Sequence, residues 1–174
     1  MKQLLSILTF LLLATTVSFA QNNFYPGDMA FSLELGIPHT DDGIRMVTPA
    51  FGAQFEYTVM GHELSGSLSV GAFASYDAQR MDTVPITEVL VGPMLTYRYP
   101  ILDKFDVFAK VILGYYSISA KFTGEYSGDF IFDKKMFGRA AYIGGSYYLS
   151  DKISVGVDVG YGFYMLGAHL SYKF

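Results

Sequence analysis

Cysteine and tryptophan are both absent from the chain. Without cysteine no disulfide can brace the fold in an oxidising compartment, and neither a thiolate metal site nor a lipidated first residue is available. Charge is scarce as well: 16% of residues are charged, against about 25% in ordinary soluble domains. The 12 basic and 16 acidic residues are scattered, and a net charge of −4 with no basic stripe excludes a nucleic-acid surface. Beyond residue 20 there is no apolar run long enough for a helical span, although 51% of the chain is hydrophobic. HExxH, GxGxxG and Walker sequences are missing, so no cofactor or resident metal is expected. Asp41-Asp42-Gly43 could touch a calcium ion, but a polar turn explains it equally well.

Three features fill these gaps. Met1-Lys2 gives a positive start, Leu4 to Val17 is apolar and uncharged, and Ser18-Phe19-Ala20 supplies small residues before Gln21. That is the layout of a secretory leader cleaved after Ala20. The expected organisation is a leader over 1–20, a mobile N-terminal periplasmic segment within 21–28, and one domain over 29–174. Aromatic content is high, with 14 Tyr and 15 Phe, and there are 18 Gly. Most important, side chains alternate with period two through nearly the whole mature chain, which predicts strands rather than helices.

Eight alternating segments can be traced. Phe31, Leu33, Leu35 and Ile37 form the apolar row of the first; the second runs from Val47 to Val59, the third from Leu64 to Tyr76 and the fourth from Val89 to Tyr99. The fifth runs from Phe105 to Tyr115 and the sixth from Ala141 to Leu149. Ile153, Val155, Val157, Val159 and Tyr161 form the seventh, and Leu166, Ala168, Leu170, Tyr172 and Phe174 the eighth. Each approaches the 9–11 residues of a tilted transmembrane strand. Short turns (60–63, 100–104, 150–152) alternate with longer, more polar connections (38–46, 77–85, 120–136), as in barrels with short periplasmic turns and long external loops.

The second face of these strands is mostly Ser, Gly and Ala, which suits the cramped inside of an eight-stranded ring better than a surface in water. Its charges, Glu34, Glu56, Glu88, Arg98, Lys110, Asp158 and Lys173, carry both signs and are expected to pair in the interior. Aromatics cluster near the turn end (Phe31, Tyr57, Tyr97, Tyr99, Phe105, Tyr147, Tyr172, Phe174) and near the loop end (Tyr76, Tyr115, Tyr161, Phe163, Tyr164). Two girdles of this kind mark two membrane–water interfaces. Arg placed at Val157 is expected to be costly, and less so at Ser154.

The last strand, with Leu170, Tyr172 and a carboxy-terminal Phe174, resembles the assembly signal of bacterial outer-membrane barrels. Along its full length the mature chain is similar to the small barrels of the OmpA/OmpX type. That resemblance implies an all-β, eight-stranded antiparallel up-and-down transmembrane barrel, surrounded by outer-membrane lipid and lipopolysaccharide and handled by the barrel assembly machinery. It implies no activity, because one barrel serves many uses.

The expected role is a monomeric structural or surface-interaction protein, not an enzyme. The alternatives are a narrow conduit for small hydrophobic molecules and, third, a lipid-modifying enzyme. For the last, His169 and Ser171 resemble the His-x-Ser motif of lipid A deacylases, but no acid follows to orient the histidine. His39 and His62 read as solvated loop residues. The segment 120–136 is unusually apolar for a loop, and Tyr126, Phe130 and Phe132 offer an interaction site there, either as a strand extension or as a binding edge.

Overall fold

The computed structural model describes residues 24–39, 44–62, 66–82, 84–124 and 128–174. The leader, Asp41-Asp42-Gly43 and Tyr126 lie outside the described residues. Nine strands form: β1 (Met29–Pro38), β2 (Ile44–Met46), β3 (Ala50–His62), β4 (Gly66–Met81), β5 (Val84–Leu102), β6 (Phe105–Gly124), β7 (Gly128–Tyr148), β8 (Ile153–Tyr161) and β9 (Tyr164–Lys173). All but β2 pair antiparallel with their neighbours in the chain, and β1 pairs with β9, so eight strands close a ring. β2 stands outside the ring and straps the upper edge of β4, from Ile44↔Met81 to Met46↔Gln79.

On β1 exposed and buried residues alternate without a break, with Phe31, Leu33, Leu35 and Ile37 outward and Ala30, Ser32, Glu34 and Gly36 inward. The same holds around the ring, so the apolar face is the outer one. Such a surface is stable only against lipid, and a closed ring leaves no unpaired strand within it. Inside, Phe73, Leu90, Met94, Ile112, Tyr142, Phe163 and Tyr164 fill the upper half. Polar and charged side chains fill the middle, and Phe24, Ala30 and Tyr148 close the lower end, where the short turns lie.

Several expectations are corrected. Among the described residues of the connection 77–85, 77–81 and 84–85 are strand rather than loop, and in 120–136 the strand-extension alternative holds for 120–124 and 128–136. β4 and β5 stay paired to Met81↔Val84, and β6 and β7 to Gly124↔Gly128. Their alternation continues past the membrane, but polar residues there look like loop in the sequence. The second predicted segment begins at Ala50, because Val47 and Thr48 turn back onto Ala78 through hydrogen bonds of 3.1 and 3.0 Å to its carbonyl. Phe163 and Tyr164 are not girdle residues; both are buried. Two successive outward residues, Met165 and Leu166, break the parity of β9, and the register of β1 shifts opposite them. Gly36 and Gly167 leave room for the inward Tyr164 ring, since a Cβ on either would lie 2.6 Å from it.

The N-terminal segment is also not loose where it is described. Gly27 donates to the Thr58 carbonyl at 2.9 Å and Thr58 to that of Asp28 at 2.9 Å. Phe24 is thereby inserted into the lower mouth of the barrel and is 3% exposed.

Candidate functional site

The interior polar residues fall into three layers. Lowest, Arg98 on β5 meets Glu56 on β3 at 2.8 Å and Asp106 on β6 at 4.0 Å. Gln54 donates to Glu56 at 3.0 Å, and Tyr148 donates to Asp106. The Arg98 guanidinium lies 4.7 Å from the centre of the Phe24 ring, and the Lys173 ammonium 5.7 Å from it. Lys173 also bonds Asp28 at 3.3 Å. The N-terminal ring is thus held between two cations. Phe24→Leu keeps the apolar volume and removes the π face, so a loss of about 1 kcal/mol is expected in urea unfolding. An unchanged midpoint would assign Phe24 to packing alone.

In the middle layer Lys110 on β6 is the hub. Its ammonium is 2.5 Å from Glu34, 3.4 Å from Asp158, 3.2 Å from Gln54 and 3.3 Å from the Tyr164 hydroxyl. Tyr164 in turn donates to the other Glu34 oxygen at 2.7 Å. Above it the Tyr142 and Tyr164 rings stack with centroids 4.3 Å apart. The Tyr142 oxygen accepts from the Phe163 and Tyr164 amides at 3.0 and 3.3 Å, which fastens the β8–β9 turn. In the upper layer Tyr116 donates to Glu88 at 2.6 Å and Gln79 to Asp77 at 2.8 Å.

Five of the seven charges expected on the inner face, Glu56 and Arg98 in the lower layer and Glu34, Lys110 and Asp158 in the middle, are joined into one network through Gln54. Glu88 stands apart in the upper layer, and Lys173 serves the N-terminal plug. Sequence reasoning missed Asp106, which falls on the inner face of the fifth segment but is not named among its charges, and Asp77, assigned to a loop. It also missed Phe24, which precedes any alternation.

Ser171 bonds Ser32 at 2.7 Å and does not meet His169. His169 instead places Nε2 3.2 Å from the Ser146 hydroxyl, with Nδ1 3.8 Å from Asp158. That is the order of a serine–histidine–aspartate relay, but all three are buried and Arg98 also reaches Ser146 at 3.5 Å. A relay needs a nucleophile that a substrate can reach, and Ser146 is 1% exposed. Glu34, Asp158 and His169 also place donor atoms within 4.8 Å of one another, a set a cation could use. The Lys110 ammonium already occupies the space between the two carboxylates.

The external end is uneven. β6 spans 20 residues and β7 21; at about 3.3 Å per residue and a tilt near 40°, each is about twice as tall as the ~25 Å apolar band. β8 and β9 have only 9 and 10. β4 to β7 therefore project as a sheet. Its β4 edge is strapped by β2, whereas β7 loses β8 beyond Ala141↔Tyr161. Among the described residues nothing pairs with Gly128–Ala140 on that side. Phe130 and Phe132 lie on this segment and are exposed, the former at 63%. His39 stacks loosely on Tyr161, with centroids 6.0 Å apart. Leu170 and Tyr172 on β9 and Phe174 just past its end form an outward row, and the Phe174 amide still bonds the Met29 carbonyl at 3.0 Å.

No family model and no curated protein sequence matches the chain. Solved structures do. The N-terminal β-barrel domain of OprF from Pseudomonas aeruginosa matches over 88% of this chain and 99% of its own, with 14% identity and a TM-score of 0.51. Ail, the attachment invasion locus protein of Yersinia pestis, matches over 85% and 99%, with 10% identity and a TM-score of 0.54. At such identities the likeness concerns architecture. With its ring of eight antiparallel up-and-down strands, the chain has the fold of the small outer-membrane barrels of the OmpA/OmpX type.

Proposed function

We propose that the protein is an integral outer-membrane barrel that uses its projecting sheet to bind an extended segment of another surface protein. One observation carries this reading: the sheet has one strapped edge and one open edge. A row of unpaired N–H and C=O groups from Gly128 to Ala140, clear of the lipid, is a template for strand addition. Phe130, Ile131 and Phe132 lend that edge exposed apolar surface. The interior supports a non-conducting role, since the Tyr142–Tyr164 stack and Phe73, Ile112 and Phe24 fill it. In this reading residues 1–20 are the removed leader. Leu170, Tyr172 and Phe174 present the last strand to the assembly machinery, and the outer face meets lipid and lipopolysaccharide acyl chains as a monomer.

Two measurements test it. The protein is expected in the outer-membrane fraction with Gln21 first, shifting its mobility in SDS only after boiling; a soluble periplasmic protein without that shift overturns the location. For the edge, Ile118 to Lys134 is replaced by an Asn-Gly turn between the paired Ser117 and Lys135, which removes Phe130, Ile131 and Phe132. Cells displaying the shortened barrel should lose adhesion to surfaces coated with extracellular proteins. Equal adhesion by both forms would remove the projecting sheet from the interaction.

A further inference from the structure

The wall has a notch where β7 outruns β8. Pairing stops at Ala141↔Tyr161, and β8 turns away at Gly162, whose φ of 137° only glycine adopts easily. Behind the notch lies a cavity of about 420 Å³. Its floor is apolar, made by Leu90, Tyr116, Met136 and Phe163, while Arg139 and His39 stand at its rim. No carboxylate lines it, and Glu88, the nearest acid behind the floor, is engaged by the Tyr116 hydroxyl. Among the described residues Arg139 has no ion-pair partner. It points outward, in register with Leu113, one step below the Tyr115↔Phe137 pair.

From this arrangement we infer a binding site for an amphipathic anion, with an acyl or ring body on the Leu90–Phe163 floor and its carboxylate or phosphate on Arg139. The chemistry follows from the lining. The Leu90, Tyr116, Met136 and Phe163 side chains, with the exposed Phe137 and Tyr161 rings beside them, favour a hydrocarbon body over water. A guanidinium with no acid beside it favours an oxyanion that can take its paired N–H donors. Height adds a third constraint. Tyr115 and Tyr161 belong to the outer aromatic girdle, so the notch opens sideways at the level where amphiphile headgroups lie. Phe137 and Tyr161 flank it, 72% and 68% exposed. The site takes the lower end of the same open β7 edge, from Met136 to Arg139, and a different ligand, and it stands whether or not a strand adds to Gly128–Lys135 above it.

The source of the anion, a free fatty acid or a membrane lipid headgroup, is decided by experiment. Barrel in non-ionic detergent is titrated with oleate, with dioleoyl phosphatidylglycerol and with dioleoyl phosphatidylcholine, and adducts are counted by native mass spectrometry. A one-to-one adduct is expected with at least one anionic amphiphile and not with phosphatidylcholine. Oleate alone identifies a free acid, and phosphatidylglycerol alone a lipid headgroup. Arg139→Gln should weaken that adduct at least tenfold. Gly138→Leu should abolish it, because a Cβ at 138 already meets Leu90 and Tyr116 at 2.7 Å. Both variants are checked for the mobility shift of a folded barrel, and if Gly138→Leu does not fold, Arg139→Gln decides. No anionic adduct above the phosphatidylcholine level, or one that Arg139→Gln leaves undiminished, overturns the inference.

Discussion

Lys110→Met is expected to destabilise the barrel by about 3–5 kcal/mol, the usual consequence of breaking a buried ion pair from one side. The ammonium is 1% exposed and touches Glu34, Asp158, Gln54 and Tyr164. Methionine has nearly the shape of lysine without its donors. Glu34 would retain the Tyr164 hydroxyl, but two carboxylates would then share one interior with no cation between them. Urea unfolding of the refolded protein in phospholipid vesicles reads the loss directly. Adding Glu34→Gln to Lys110→Met should recover part of it, because one unpaired charge is removed and the remaining Asp158 keeps Tyr164 and His169 nearby. A loss below about 1 kcal/mol in the single variant would mean that the carboxylates are solvated and the hub is not dry.

Val157→Arg should cost about 2–4 kcal/mol, the range for a cation on the lipid face at mid-membrane. Val157 is 60% exposed, on the outer row of β8, paired with Gly145 on one side and Ala168 on the other. Ser154 is not the tolerant comparison that its place near the short turn suggested. It points inward and is buried, so arginine there would strike the packed interior. The proper control is Ile153→Arg, on the same outer row at the periplasmic rim, where the cost should fall to about 1 kcal/mol or less. Equal tolerance at 153 and 157 would contradict a lipid-facing surface.

Alternation made most of the ring readable, because a strand with one face in lipid and one in a narrow interior must obey period two. It also placed Glu34, Glu56, Arg98, Lys110 and Asp158 on the inner face before any coordinates. What alternation could not convey was where parity slips. The bulge at Met165 and Leu166 reverses Phe163 and Tyr164, and no residue type announces it. Height was equally hidden: the strand continues past Asp77 and Ala120, but once outside the lipid neither face need be apolar. The ion-pair partners were beyond reach as well, since Lys110 and Glu34 are far apart in the chain and meet only across the closed ring.

The plug at the periplasmic mouth fixes an order of events. Phe24 rests on Arg98 from β5, Tyr148 from β7 and Lys173 from β9. Those residues come together only when the first and last strands have zipped. The socket therefore does not exist in an open sheet, and the N-terminal segment around Phe24 is the last to settle. Its docking acts as a latch on the finished seam, and β1 and β9 cannot part without first expelling it.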